Sequence, residues 1–211
     1  MLVTMSGYEN QESPKIYSNG LDLAWLLGSK DTSFVSKSFL ALLLRLLTLE
    51  IPTVALVNGH AFAGGCLFAL CHDYRVMRSD RGFLCMNEIL LPSPLSLVMG
   101  SIIRCKLKDP KEWRDCALLA KRYGAAEGAK CGIVDLVVTI SPDQSNQAST
   151  LMLQETLVFI RKLGLLQLSR KSKQIYGMLK ASLYDPIIQV YEQREKDRVI
   201  DMKDFLAVGK L

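Results

Sequence analysis

Apolar and polar positions follow two regimes along the chain. In the first, short β-branched runs are closed off by turn formers. TVALV (Thr53 to Val57) is the clearest, held between Pro52 and Asn58-Gly59, and reads as a strand. Leu2 to Met5, DYRVMR (Asp73 to Arg78), GFLCM (Gly82 to Met86) and Ile133 to Thr139 read likewise. Between them lie apolar stretches of helical length. One runs from Leu21 to Leu27 with Asp22 near its start, and one from Ser33 to Leu49, which Pro52 prevents from extending past Glu50. CLFALC (Cys66 to Cys71) reads as a buried helix. Further helices are expected from Pro94 to Arg104 and from Pro110 to Ala120, the latter with Asp109 as its N-cap, and a short one before the Gly132 turn. After the polar break SPDQSNQAS the pattern is helical throughout, near Ala148 to Leu163, Leu168 to Leu179 and Pro186 to Phe205.

Strands alternating with helices, then helices alone, predict an α/β core over residues 1–140 followed by a C-terminal helical subdomain over 141–211. A chain of 211 residues can bury a real core. Its 49% hydrophobic and 22% charged composition excludes a disordered chain and fits a soluble enzyme. A net charge of +5 suits phosphorylated ligands or a plain solvated surface. Basic residues are scattered rather than clustered with aromatics, which argues against a nucleic-acid partner. The six cysteines form no CxxC pair and only His60 and His72 could join them, so no metal site is expected, and the thiols suggest a reducing compartment. No secretory signal is evident. The run FLALLLRLLTL is too short to span a bilayer and carries Arg45, so no membrane partner is expected.

The candidate chemistry centres on Ile51 to Asp73. There the strand TVALV turns through Ala61, Ala63, Gly64 and Gly65 into the CLFALC helix. A glycine pair at a helix start leaves backbone N–H groups uncovered where the helix dipole favours negative charge, which suits a developing oxyanion. A second candidate is Glu88, set between apolar FLCM and ILL, where desolvation should raise its pKa. On spacing alone, Gly64 could equally serve close packing, and Glu88 could be a surface carboxylate on an edge strand. His60 and His72 read as backbone-satisfying residues, Trp25 and Trp113 as packing residues, and the basic run from Arg161 to Lys173 as a wet helix face.

Three pieces in this order, YSNGLDLA, IPTVALVNGHAFAGGCLFALCHDYRVMRSDRG and FLCMNE, resemble the crotonase (enoyl-CoA hydratase/isomerase) superfamily. Within it the chain is most similar to the plant-type peroxisomal Δ3,Δ2-enoyl-CoA isomerases, specifically from about Leu2 to Leu136 and more loosely beyond. The resemblance implies a crotonase-like ββα spiral core and an acyl-CoA thioester substrate. It implies no cofactor, coenzyme A being part of the substrate, and a trimer-based homo-oligomer. It assigns the oxyanion donors to the N–H groups of Leu21 and Gly64, and the substrate surroundings to Ser18, Asn19, Gly20, Asp22, Ala63, Gly65 and Leu67. Family hydratases use two glutamates, and the first falls on Leu67 here, which cannot take a proton. The second falls on Glu88, which in the isomerases moves the proton alone.

The chain departs from the family at three places. It begins almost at the strand leading into YSNGLD, so a core short at its N-terminus is expected. After Glu88 it reads ILLPSPLS, with Pro92 where the isomerases carry glycine, and the loop DTSFVSK is short. A non-catalytic acyl-CoA-binding or assembly subunit is therefore the alternative to an isomerase. The terminal Gly209-Lys210-Leu211 resembles a peroxisomal address, with the cytoplasm as the alternative.

Overall fold

A computed structural model describes residues 1–7, 14–28, 34–91 and 94–197. In chain order the elements are β1 (Leu2–Thr4), β2 (Ile16–Ser18), α1 (Leu23–Gly28), a π-helical turn (Val35–Leu40), α2 (Ala41–Leu47), β3 (Thr53–Val57), β4 (His60–Phe62), α3 (Gly64–Leu70), β5 (Tyr74–Arg78) and β6 (Leu84–Cys85). A 3₁₀ turn (Glu88–Leu90), α4 (Leu97–Lys106), α5 (Pro110–Leu118), α6 (Ala125–Cys131) and β7 (Leu136–Val138) follow. After a second 3₁₀ turn (Pro142–Gln147), the chain ends in α7 (Ala148–Lys162), α8 (Leu165–Lys171), α9 (Lys173–Leu183) and α10 (Asp185–Asp197).

The strands sort into two parallel sheets, β1-β3-β5-β7 and β2-β4-β6. Each winding lays one strand in the first sheet, turns a corner into the second, and returns through helix. This is the ββα spiral that the resemblance implies. The corners stack closely. A side chain at Gly59 would meet the Lys15 carbonyl at 2.6 Å, and one at Gly82 the Gly59 carbonyl at 2.8 Å. Gly82 also has φ +99, a conformation that glycine adopts freely.

Strand β3 is buried along its whole length, as a strand covered on both faces must be. Ala55 and Val57 enter the main core with α3 and α4, while Val54 and Leu56 face Ala148, Met152 and Ile160 of α7. Helix α7, with Leu165 of α8, thus covers the outer face of the four-stranded sheet, while α10 packs against α4 and sends Ile187 into the main core. Asp73 ties α9 to β3: it exchanges bonds with Thr53 (Thr53 N to Oδ2 and Asp73 N to Thr53 Oγ1, both 2.9 Å). It also accepts from Tyr176 OH at 3.1 Å and pairs with Lys180 Nζ at 2.8 Å.

The Asp109 carboxylate accepts from Glu112 N at 3.1 Å, as an N-cap should. Asp109→Ala should cost about 1 kcal/mol, seen as a lower denaturant midpoint at unchanged slope. An unchanged midpoint would mean that the cap contributes nothing.

Several expectations need correction. β2 forms at Ile16–Ser18, to which no sequence pattern assigns an element, and β4 at His60–Phe62, where the sequence suggests a turn. The helix expected at Pro94 starts at Leu97, because Ser96 Oγ accepts from Met99 N at 3.2 Å. The single helix expected over Leu168 to Leu179 is two, α8 and α9, broken at Ser172, whose φ of −146 is not helical. Trp25 packs edge-on against Phe34, as a packing residue should, though it remains 49% exposed. The end of the last expected helix, Pro92 and the terminal Gly-Lys-Leu lie outside the described residues.

Candidate functional site

The second-sheet strands end side by side, and the candidate residues follow directly from those ends. After β2, Ser18 Oγ accepts from Gly20 N at 3.1 Å, and Gly20 adopts φ +83. Asp22 caps α1 through Trp25 N at 2.9 Å, while Asn19 and Gly20 are exposed. Leu21 packs on the main core.

After β4 comes the Gly-rich turn. Ala63 is held at φ 50, ψ −123, an unusual backbone for a residue with a side chain. Its N–H donates to Cys85 O at 2.9 Å, and its carbonyl accepts from Leu67 N at 3.1 Å. Gly64 and Gly65 then open α3, whose first-turn N–H groups have no acceptor within the helix.

The structure brings these two segments into contact. A side chain at Gly20 would stand 2.7 Å from Gly64 N and 2.9 Å from Gly65 N. One at Gly65 would run into the Ser18 carbonyl. One at Gly64 would fill a space already taken by the tip of the Phe39 ring (3.0 Å) and by Gly20 Cα (3.3 Å). Three glycines therefore permit one close crossing of backbone on backbone.

After β6 the chain enters the 3₁₀ turn at Glu88, which is only 9% exposed. Among the described residues, neither Glu88 Oε2 nor the neighbouring Asn87 Oδ1 has a hydrogen-bond partner. Burial pushes the Glu88 carboxyl up to about 7, its own backbone N–H pulling the other way. That carboxyl lies near enough to Cys66, in the first turn of α3, to help raise the thiol's pKa, although burial and Cys116 do more. A desolvated carboxylate titrating near neutrality, with one oxygen uncommitted, is equipped to take and return a proton.

Leu67 is fully buried in the main core and offers no proton acceptor. His72 is neutral in function: burial lowers its pKa to about 4. Its Nδ1–H donates to Phe68 O at 2.8 Å, as expected of a residue satisfying helix-end carbonyls, and its Nε2 accepts from Thr4 Oγ1 at 2.9 Å. His60 differs from expectation. It stacks between Phe62 and Phe83, each ring at 5.3 Å, and its buried Nδ1 has no partner among the described residues. The described cations of the Arg161 to Lys173 run are exposed. Sequence reasoning missed Phe39 at Gly64 and the strained Ala63. No pattern in the sequence marks either.

The chain matches the enoyl-CoA hydratase/isomerase family over residues 11–197. It is 42% identical over 122 residues to a protein of Arabidopsis thaliana named enoyl-CoA delta isomerase 1, peroxisomal, covering 57% of this chain and 51% of that one. It is 33% identical to Arabidopsis enoyl-CoA delta isomerase 3 over 84% of this chain and 73% of that protein. The chain thus spans about half the length of the first relative. The crystal structure of an enoyl-CoA hydratase from Bacillus halodurans shares the fold, with a TM-score of 0.70 at 18% identity over 99% of this chain and 76% of that one. The spiral of two parallel sheets and the match across both the core and the C-terminal helices lead to one conclusion: the chain belongs to the enoyl-CoA hydratase/isomerase family.

Proposed function

We propose that the protein is an enoyl-CoA isomerase that moves the double bond of a 3-enoyl-CoA to the trans-2 position, in fatty-acid β-oxidation. The observation carrying this reading is Glu88, a buried carboxylate whose Oε2 has no partner among the described residues, close to Cys66 in the first turn of the helix that Gly64 opens. In the proposed reaction the Glu88 carboxylate takes a proton from C2 of the substrate. The electron pair of the broken C2–H bond forms a C1=C2 bond as the carbonyl pair moves onto the thioester oxygen, giving a dienolate conjugated with the C3=C4 bond. The N–H groups of Leu21 and Gly64 stabilise that oxygen, being oriented before the reaction begins. Glu88 then returns its proton at C4, the double bond settles between C2 and C3, and the carboxylate is regenerated. No cofactor enters this cycle. Ser18 and Gly20 shape the first donor loop, Asn19 and Asp22 flank it, and Ala63, Gly65 and Leu67 support the second.

The isomerase names of the two Arabidopsis relatives support the assignment. Leu67 supports isomerisation over hydration, because a water molecule would have no second carboxylate to position it. The peroxisomal name of one relative supports a peroxisomal location. A trimer-based homo-oligomer is proposed on the family resemblance alone.

Wild-type protein is expected to convert 3-hexenoyl-CoA to the 2-enoyl isomer and to hydrate crotonyl-CoA at least about 100-fold more slowly, a general-base contribution being absent. Tight acyl-CoA binding without turnover would instead favour the binding or assembly subunit. Hydration as fast as isomerisation would overturn the role given to Leu67.

A further inference from the structure

We infer that Phe39 is a positioning residue for the Gly64 N–H donor, an inference that rests on the proposed oxyanion hole. Three observations converge on it. The Phe39 ring is buried, 7% exposed, with Cζ and Cε1 standing 3.0 and 3.5 Å from where a Gly64 side chain would be. Gly20 Cα bounds the same space at 3.3 Å, so the ring tip meets the point where the two donor segments cross. The peptide leading into Gly64 starts from Ala63 at φ 50, ψ −123, and such a backbone persists only where its surroundings over-determine it. The bonds of Ala63 to Cys85 and Leu67 fix the near side of that peptide. Beyond it Gly64 has no side chain of its own, and the Phe39 ring packs against it in place of one.

Phe39 is also carried on the π-helical turn Val35–Leu40. A π turn is a costly departure from the α-helix that continues it, and such turns concentrate at functional sites. Here it delivers an aromatic ring to Gly64, while α2 behind it packs Leu43, Leu46 and Leu47 into the core as an ordinary helix.

Phe39→Leu shortens the reach of the side chain while keeping it apolar. Turnover of 3-hexenoyl-CoA should fall about tenfold with KM held within about twofold, since a donor misaimed by a fraction of an ångström weakens the transition state more than the ground state. Phe39→Met, long enough to refill the space, should recover most of that loss. The infrared stretch of the thioester carbonyl of bound hexanoyl-CoA supplies a readout independent of turnover. It should lie lower in frequency than in free hexanoyl-CoA for wild type, and the displacement should shrink for Phe39→Leu. Thermal melting checks that the variant is folded, and Phe39→Ile makes the same truncation should the leucine variant fail to fold. A truncated variant with wild-type turnover and carbonyl frequency overturns the role of Phe39. A wild-type carbonyl unshifted on binding overturns the oxyanion hole itself, and the two failures are thereby told apart.

Discussion

Glu88→Gln is expected to lower isomerisation of 3-hexenoyl-CoA by about 1000-fold, and at the same time to make the protein more stable above neutral pH. The two effects have one origin. The carboxyl is buried, its Oε2 finds no partner among the described residues, and its pKa is pushed up from 4.5 to about 7. The folded state therefore binds the proton more tightly than the unfolded chain does. That favourable linkage is complete below the unfolded value of 4.5 and is lost as the pH rises through about 7. Ionising the group in place costs about 3 kcal/mol by this shift, at roughly 1.4 kcal/mol per unit. Glutamine keeps the shape and never ionises, so its stability advantage should grow from pH 4.5 to pH 7 and then level off. Denaturant midpoints at pH 5 and pH 8 measure it, and the same difference at both values would contradict a desolvated carboxylate. In wild type, kcat/KM should fall tenfold per pH unit below about 7, because the base must be ionised to act. Unchanged turnover in the glutamine variant would remove Glu88 from the chemistry altogether.

Gly65→Ala should destabilise the fold by about 3 kcal/mol, the larger of two structural effects that one methyl group can have here. Its Cβ would fall 2.2 Å from the Ser18 carbonyl oxygen, 2.7 Å from its carbon and 2.8 Å from Ser18 Cβ. The first two are backbone atoms that cannot rotate away, so β2 would have to separate from α3. The same change at Gly100, inside α4, meets nothing within 4 Å and should stabilise the protein by up to about 1 kcal/mol. Chemical denaturation of the two variants side by side isolates the contact from the general cost of glycine. Equal stabilities would mean that the crossing is looser than drawn.

The parts legible in the sequence were those with a local cause. TVALV is a strand by composition and by its flanking Pro52 and Asn58-Gly59, and it lies where expected, Thr53–Val57. The Asp109 cap and the left-handed Gly132 are chemical signals read directly from residue type. β2 and β4, of three residues each, were hidden, because IYS and HAF acquire their strand character only from partners on other windings. The π-helical turn was hidden too, since one extra residue in a turn leaves an apolar pattern nearly unchanged. The break at Ser172 carries no glycine or proline to announce it.

For the site, the three motifs were legible, but the close backbone crossing of the first two was not. Glu88 stood out as a carboxylate in apolar surroundings, and its burial follows that pattern. Ala63 gave no warning, because alanine seldom takes a positive φ and nothing in its neighbours demands one. Leu67 was the reverse case, informative through the group it lacks.

The stacking of the second-sheet strands divides labour in a way that bears on how such a protein can change. On the proposed reading, charge is managed by main-chain atoms at the ends of β2 and β4, and the proton by a single side chain just after β6. Main-chain donors have no identity that a codon can alter, so Leu21 can drift among residue types while the bond it offers persists. The proton-handling position has no such protection. New chemistry can be tried by exchanging one side chain on one winding while the anion-binding apparatus on the other two is inherited intact.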